Sequence, residues 1–518
     1  MHPFLWQPPI DLSRTEQAIM KRVKRAKLFV FLREHRHELF NAAFQAELAG
    51  LYRDSKRGQP PIPPAQLALA TIVQAYTGAS DDEVIEATTM DRRWQLVLDC
   101  LDAEEPPFSK GTLSGFRKRL IESQMDRRLI ERTLEVARET GAFGAGPVRA
   151  ALDSSPLWGA GRVEDTYNLL GHALRKALSV IAPQQGRGLA ELAKEAEASV
   201  LSGSSLKAAL DRDWDDPSER AVVLATLDSV ERWLENKAEG REEPAVQRSS
   251  LAAAQPVKQQ DVEPTEAGAV VLRKGVAKDR RISIEDAHMR HGRKSRRVRV
   301  DGYKRHVLRD LESGLIRAVG ITPANAAAAS VTEAIAADLR AQQATLHELH
   351  IDRAYVSSSL VRERTADLHV YCKAWPVRTG NRFLKTEVQL EWERQLLRGP
   401  NQQEMPFVPG GVVQFPAEIC QACPLRERCT TSPNGRSVNI HPDEALLCEL
   451  RERQLTQTGR AKLRERAAVE HALAHIGHWQ GRRARYRATR KNLFDLRRCA
   501  VVHNLHVLAR VLALSYAA

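Results

Sequence analysis

The chain has 518 residues, 78 Lys and Arg against 65 Asp and Glu for a net charge of +13, and 43% hydrophobic residues. About three domains of ordinary size are expected, and a mainly disordered chain is excluded, because apolar runs are ample and net charge per residue is small. No apolar stretch reaches membrane-spanning length, and the start, MHPFLWQPPIDLSRTEQ, has no basic segment followed by an apolar one, so a cytoplasmic protein is expected.

Residues 15–140 place apolar side chains at three- and four-residue spacing, which predicts an all-α N-terminal domain over 1–145. Pro64 and the cluster Ser80, Asp81, Asp82 mark helix starts. The helix from Ser109 to Leu120 carries Lys110, Arg117, Lys118 and Arg119, and reads equally as a DNA-contacting helix or as an ordinary amphipathic one.

A period of two begins at Val148, Ala150 and Leu152 and predicts a short strand ending at Asp153. Residues 166–248 return to a helical pattern and turn acidic, with 14 acids against 7 bases over 190–245, as an inserted helical subdomain would. The polar segment 249–269 reads as an exposed linker. Residues 296–325 hold two β-rich runs joined at Asp310 to Gly314, the pattern of a hairpin. Ala326 to Gln343 is helical, LHELHID supplies a strand just before Asp352, and 367–375 is a candidate next strand. Strands and helices therefore alternate across 146–165 and 270–378, which predicts an α/β core with inserted pieces.

Positive charge is concentrated: residues 273–309 carry 14 Lys or Arg against 4 acids, and residues 460–498 carry 12 against 3. Nucleic acid is the first partner this suggests, a membrane surface the second. Gln480 to Arg498 interleaves Tyr486 and Phe494 with Arg and Lys, a composition suited to phosphate contacts and to stacking at an unpaired DNA end, or to a basic amphipathic helix packed through Leu493 and Leu496. His288, His291 and His306 read as phosphate-facing or hydrogen-bonded side chains rather than metal ligands.

Seven cysteines are too few for a disulfide scaffold. Cys420, Cys423 and Cys429 form a C-x2-C-x5-C group in a Cys-rich insert over 379–458. With His441, or else Cys448, as fourth ligand they are expected to hold a structural zinc; the alternative is three reduced cysteines in a small subdomain. The C-terminal helices follow over 459–518.

Asp153 and Asp352 both sit at the end of a short strand, where α/β sheets place chemistry, although each alone fits a turn or a helix cap. Glu470 shares its helix face with Ala467, Leu473, Ala474 and Gly477, an inward-looking stripe on which a carboxylate needs a partner or a cation. The alternative is an i,i+4 pair with Arg466 on a solvated face. Glu465 is the fallback for the third acid. Three carboxylates suit two hard cations, Mg²⁺ or Mn²⁺, as used in phosphodiester exchange.

The ordered set LDSS with Asp153, DGYKRHV with Tyr303, Lys304 and His306, GITPAN ending at Asn325, LHIDRAYVS with Asp352, and RERAAVEHALAHI with Arg466 and Glu470 resembles the DDE transposases of bacterial insertion sequences, and most nearly the group numbered eleven-eighty-two. The resemblance implies an RNase H-like catalytic core in which Asp153, Asp352 and Glu470 hold Mg²⁺ or Mn²⁺. It implies double-stranded DNA as partner, both element ends and target, and a homodimer assembled on DNA at the nucleoid. Tyr303, Lys304, His306, Arg353, Arg466, Arg482, Arg483, Arg485 and Arg487 are the expected DNA contacts. Against the family's Tyr, Arg, Glu, Lys signature, Leu463 stands where Tyr is usual and Gly477 and His478 where Lys is expected, leaving His478, Arg482 and Arg483 as substitutes. A DNA-binding protein without catalysis and a metal-dependent nuclease are the competing readings.

Overall fold

The computed structural model describes residues 2–53, 59–143, 146–203, 205–210, 212–238, 254–265, 270–375 and 380–515. The strands up to residue 371 are β1 (Val148–Trp158), β2 (Val262–Pro264), β3 (Val270–Leu272), β4 (Arg290–Arg293), β5 (Arg299–Asp310), β6 (Ile316–Pro323), β7 (Leu346–Ile351) and β8 (His369–Tyr371). Five of them form one mixed sheet in the order β6-β5-β1-β7-β8, with β4 pairing the start of β5 beside β6. β5 runs antiparallel to β1, whereas β7 runs parallel to β1 and β8 parallel to β7. The predicted hairpin is β5 and β6: the Asp310 carboxylate accepts the Glu312 amide at 3.0 Å, and Gly314, at φ 75°, closes the turn in the left-handed region.

The period of two decides which side each residue faces. Ala151 and Leu157 of β1, with Tyr303 and Val307 of β5, enter one core, and Ala150, Leu152 and Leu308 enter another on the opposite face. Helices Ala467–Gln480 and Thr489–Ser515 cover the first face, and helices Thr332–Ala341 and Glu444–Leu455 the second.

The N-terminal helices begin where expected. Pro64 occupies the first turn of Pro64–Thr77, and Ser80 caps Asp81–Met90 through a reciprocal bond with Glu83. They do not make a separate core. Leu67, Ile72, Phe116 and Leu134 share one continuous cluster with Phe494, Leu505 and Leu508 of the C-terminal helix and with the sheet. Asp126, fully buried, seals this seam by accepting Arg490 at 2.6 and 2.8 Å and Arg497 at 3.1 Å.

Between β1 and β4 lies an insert whose own core joins Leu170, Leu174, Leu227 and Leu234 of helices Thr166–Gln184 and Pro217–Ala238. The segment expected to be an exposed linker instead contributes a helix, Ala254–Asp261, whose Ala254 and Val257 are buried in that core. Residues 239–253 and 266–269 lie outside the described residues. The second insert is a set of short strands around Leu397, Phe407, Phe415, Val438 and Ile440. Leu446, Leu447 and Leu450 pack on the main sheet, so this small subdomain ends before helix Glu444–Leu455.

Candidate active site

The parallel pairing of β1 with β7 ends at Leu152 opposite Ile351, and the next residues on the two strands are Asp153 and Asp352. Both follow a residue of the second core, so both turn toward the face covered by helix Ala467–Gln480. Beyond this point β1 continues to Trp158, whose amide donates to Arg482 O at 2.9 Å, so the strands part around the two acids. An acid at a point where parallel strands diverge faces open space rather than a neighbouring strand. Asp153 therefore does not end its strand as expected; β1 runs five residues further because β5 pairs it throughout.

Asp352 caps the short turn Arg353–Tyr355, accepting the Ala354 amide at 3.0 Å. Asp153 accepts the Ser154 amide at 2.7 Å and a guanidinium nitrogen of Arg466; another nitrogen of Arg466 donates to Glu470 at 3.0 Å. One arginine thus joins the first and third candidate acids. Glu470 is exposed, not inward-looking: the buried side of its helix is Val469, Ala472, Leu473, Ile476 and Gln480. Its i,i+4 pair with Arg466 does form, and the same arginine reaches past it to Asp153.

Burial raises the Asp153 carboxyl above the ordinary range, the nearby charges of Asp352 and Glu470 push the same way, and the Ser154 amide and Arg466 oppose them. Three like-charged carboxylates lie near one another with Arg466 between two of them, but their oxygens are not all within the 4.8 Å at which a group could share one cation. Asp352 and Glu470 line a cleft of about 600 Å³, along with Arg353, Lys373, Arg460 and Arg464. Arg353 donates to Lys373 O at 3.0 Å and lies 5.7 Å from the centre of the half-exposed Trp375 ring. Arg460 and Arg464 belong to the basic run 460–498, whereas Lys373 and Trp375 carry no signal in the sequence, because only the fold brings them to this cleft.

The fallback acid Glu465 belongs elsewhere. It pairs with Arg149, which also holds Glu348 at 2.8 Å, and Glu348 receives Lys462 at 2.9 Å and His350 at 3.2 Å. Burial opposes the Glu348 charge, but Lys462, Arg149 and His350 outweigh it and hold the carboxyl at about 2. Glu348, His350 and Glu465 bring possible ligand atoms within 4.8 Å of one another, yet Arg149 and Lys462 already balance their charge.

Several expected DNA contacts are internal. Tyr303 is fully buried and its hydroxyl donates to Asp286 at 2.6 Å; burial and that carboxylate push its pKa far above the ordinary range. His306 is fully buried between Tyr355 and Thr322, and burial, then Lys304, pushes its imidazole down to about 3, so it is neutral. Lys304 donates to Ala326 O at 2.7 Å. His288 and His291 are hydrogen-bonded, to Thr489 at 3.0 Å and Asp301 at 2.6 Å. Within the basic C-terminal run, Arg490 and Arg497 are committed to Asp126 and the fully buried Arg498 to Asp495. Phe494 is buried as well, so it offers no ring to DNA.

His478, Arg482, Arg483, Arg485 and Arg487 are exposed. Arg483 donates to Gly159 O at 3.1 Å, Arg485 to Trp479 O at 3.3 Å, and Arg487 pairs with Glu285 at 2.9 Å. In the N-terminal region, Arg117 is buried against Gln74 and Asp81 and Lys110 pairs with Asp82, which turns that helix toward packing rather than DNA.

The zinc expected at Cys420, Cys423, Cys429 and His441 is not supported. Among the described residues the three thiols do not converge on one point with a fourth ligand. The Cys420 sulfur accepts the Arg436 amide at 3.4 Å, the Arg436 guanidinium lies 3.9 Å from the Cys429 sulfur, and His441 Nδ1 accepts the Asp443 amide. A guanidinium beside the thiols takes the place of a cation. The same cysteines line a small apolar cavity of about 40 Å³.

A family described as a transposase domain matches residues 17–119, and one described as a transposase DDE domain matches residues 408–509. The second match contains Arg466, Glu470 and His478; Asp153 and Asp352 lie outside both. The two matched stretches, far apart in sequence, pack into the same core. No curated protein and no solved structure is significantly similar to the chain. Among the described residues no helix is long and apolar enough to cross a membrane. Residues 17–119 and 408–509 therefore match transposase domain families, the second of the DDE type.

Proposed function

We propose that the chain binds the terminal inverted repeats of its element, cleaves the DNA there and joins the 3′-hydroxyls to target DNA, with Asp153, Asp352 and Glu470 as the acids of an RNase H-like core. The observation that carries this reading is that Asp153 and Asp352 leave adjacent parallel strands at one level, while Arg466 ties Asp153 to Glu470. A transposase DDE domain implies such a core, and the strand order β6-β5-β1-β7-β8 agrees with it.

The three carboxylates would hold Mg²⁺ or Mn²⁺. Such cations, when bound, activate a water or a 3′-hydroxyl and stabilise the leaving oxygen. The protein's own part is placement. Arg353, Lys373, Arg460 and Arg464 present positive charge along the cleft that would hold the scissile strand by its phosphates. Arg482, Arg483, Arg485 and Arg487 extend that charge past the end of the Glu470 helix, beside the exposed His478. Two chains acting on two paired ends, as a homodimer at the nucleoid, complete the reading.

The test is cleavage of a supercoiled plasmid carrying both element ends, with Mg²⁺ or Mn²⁺, by wild type and by Asp352→Asn. Breaks at the ends that vanish in the variant support the transposase. End-specific binding without cleavage under either metal would leave a DNA-binding protein, and cleavage indifferent to the ends would leave a nuclease.

A further inference from the structure

On the face of the sheet opposite the acids lies a buried polar chain that the cleft does not use. Thr322 of β6 meets His306 Nε2 at 2.9 Å, His306 Nδ1 meets the Tyr355 hydroxyl at 2.7 Å, and the Tyr355 hydroxyl also meets the side chain of Ser154. His306 has no exposed surface and Tyr355 only 1%. The two rings stand edge to face, 5.9 Å apart.

Two members of this chain, Ser154 and Tyr355, lie one or a few peptides from an acid. Ser154 follows Asp153 on β1 and gives its amide to that carboxylate at 2.7 Å. Tyr355 closes the three-residue turn that Asp352 caps. The tie therefore links the two acids from beneath, with His306 and Tyr355 shut off from water and Ser154 half-buried.

A neutral imidazole offers one donor and one acceptor, and the Thr322 and Tyr355 hydroxyls, each able to donate or accept, pair both ring nitrogens and so hold the ring orientation. Leaving either neighbour unpaired in this dry interior would be costly, which makes the arrangement rigid.

We propose that Tyr355 and His306 are positioning residues that fix the relative placement of Asp153 and Asp352 for divalent cations. This rests on the assignment of those two acids under Proposed function. Mg²⁺ demands near-ideal octahedral geometry, so it is the cation most sensitive to a shifted carboxylate.

The test uses the full chain with Tyr355→Phe, which removes one hydroxyl and keeps the ring, and Thr322→Val, which cuts the chain at its far end. The first readout is the concentration of Mg²⁺ or Mn²⁺ that half-saturates the rise in melting temperature; the second is the ratio of Mn²⁺- to Mg²⁺-supported cleavage. Tyr355→Phe is expected to raise the Mg²⁺ midpoint roughly tenfold or more, the size typical of losing a partner that orients a ligand. It should raise the Mn²⁺ to Mg²⁺ ratio and leave binding of a DNA duplex unchanged. Thr322→Val should shift both readouts the same way by less.

Unchanged midpoints and ratio in both variants would overturn the proposal, as would a loss of melting temperature with no change in ratio. If Tyr355→Phe does not fold, Thr322→Val decides by the same criteria. Should wild type itself show no metal-induced shift, and Asp153→Asn behave like it, the assignment of the acids fails instead.

Discussion

The guanidinium of Arg466 reaches from the start of the Glu470 helix to the carboxylate of Asp153 on the central strand. It gives two acids, 317 positions apart in the chain, a common partner. Removing it as Arg466→Ala should lower end cleavage roughly tenfold or more, because the two carboxylates then repel without a cation between them. Melting temperature should change little, since the pair is partly exposed and worth about 0–1 kcal/mol. Lysine should not restore the rate, because one ammonium cannot fork to both acids. Cleavage kinetics and a thermal melt on the two variants check this.

Glu470 and Glu465 should separate activity from stability. Glu470→Gln is expected to abolish cleavage with the fold intact, its side chain being 58% exposed. Glu465→Gln should keep cleavage and lose on the order of 1 kcal/mol through Arg149. Activity that survives Glu470→Gln and disappears in Glu465→Gln would reverse the assignment.

Asp126 tests the seam between the first and last helices. Asp126→Asn leaves the buried Arg497 and the partly exposed Arg490 facing a neutral group, and breaking the buried Arg497 pair in this way costs about 3–5 kcal/mol. A single, lower unfolding transition is expected in calorimetry. Two separated transitions, one resembling wild type, would mean that the N-terminal helices fold on their own.

Acid should weaken the fold through two histidines. Burial, then Lys304, pushes His306 down to about 3; burial outweighs the Gly314 carbonyl and holds His503 at about 4. Unfolded imidazoles titrate near about 6.5, so below that pH the unfolded chain takes up protons that the folded chain refuses. Stability from these groups is complete above about pH 6.5 and declines toward pH 4, by up to about 1.4 kcal/mol per pH unit for each histidine. His503→Gln should reduce the slope of unfolding free energy against pH in that window; an unaltered slope would show that His503 is protonated in the fold.

The local grammar of this chain was readable. Pro64, Ser80 and the Asp310 to Gly314 turn act through neighbours a few residues away, and their elements start and stop as the sequence predicts. The acids Asp153 and Asp352 were visible for the same reason, each following a short apolar alternation. DGYKRHV was misread because β5 is central and covered on both faces, so its polar residues point into interiors rather than to solvent. The density of arginines in 480–498 gave no sign that Arg490, Arg497 and Arg498 are paired in the interior, since Asp126 lies more than 360 positions away from the first two. Within the linker expected at 249–269, Ala254–Asp261 is a helix because Ala254 and Val257 have an apolar insert to pack on, which composition alone does not reveal.

The core that Leu67, Ile72 and Phe116 share with Phe494, Leu505 and Leu508 has a consequence for the protein's birth. During synthesis the first helices emerge long before the C-terminal helix that shares their core, and the part of their apolar surface that it covers waits for it through most of translation. A nascent or prematurely terminated chain is therefore a substrate for chaperones and proteases rather than a half-working enzyme. Any activity of the proposed site would then wait until the helix that closes the seam has been made.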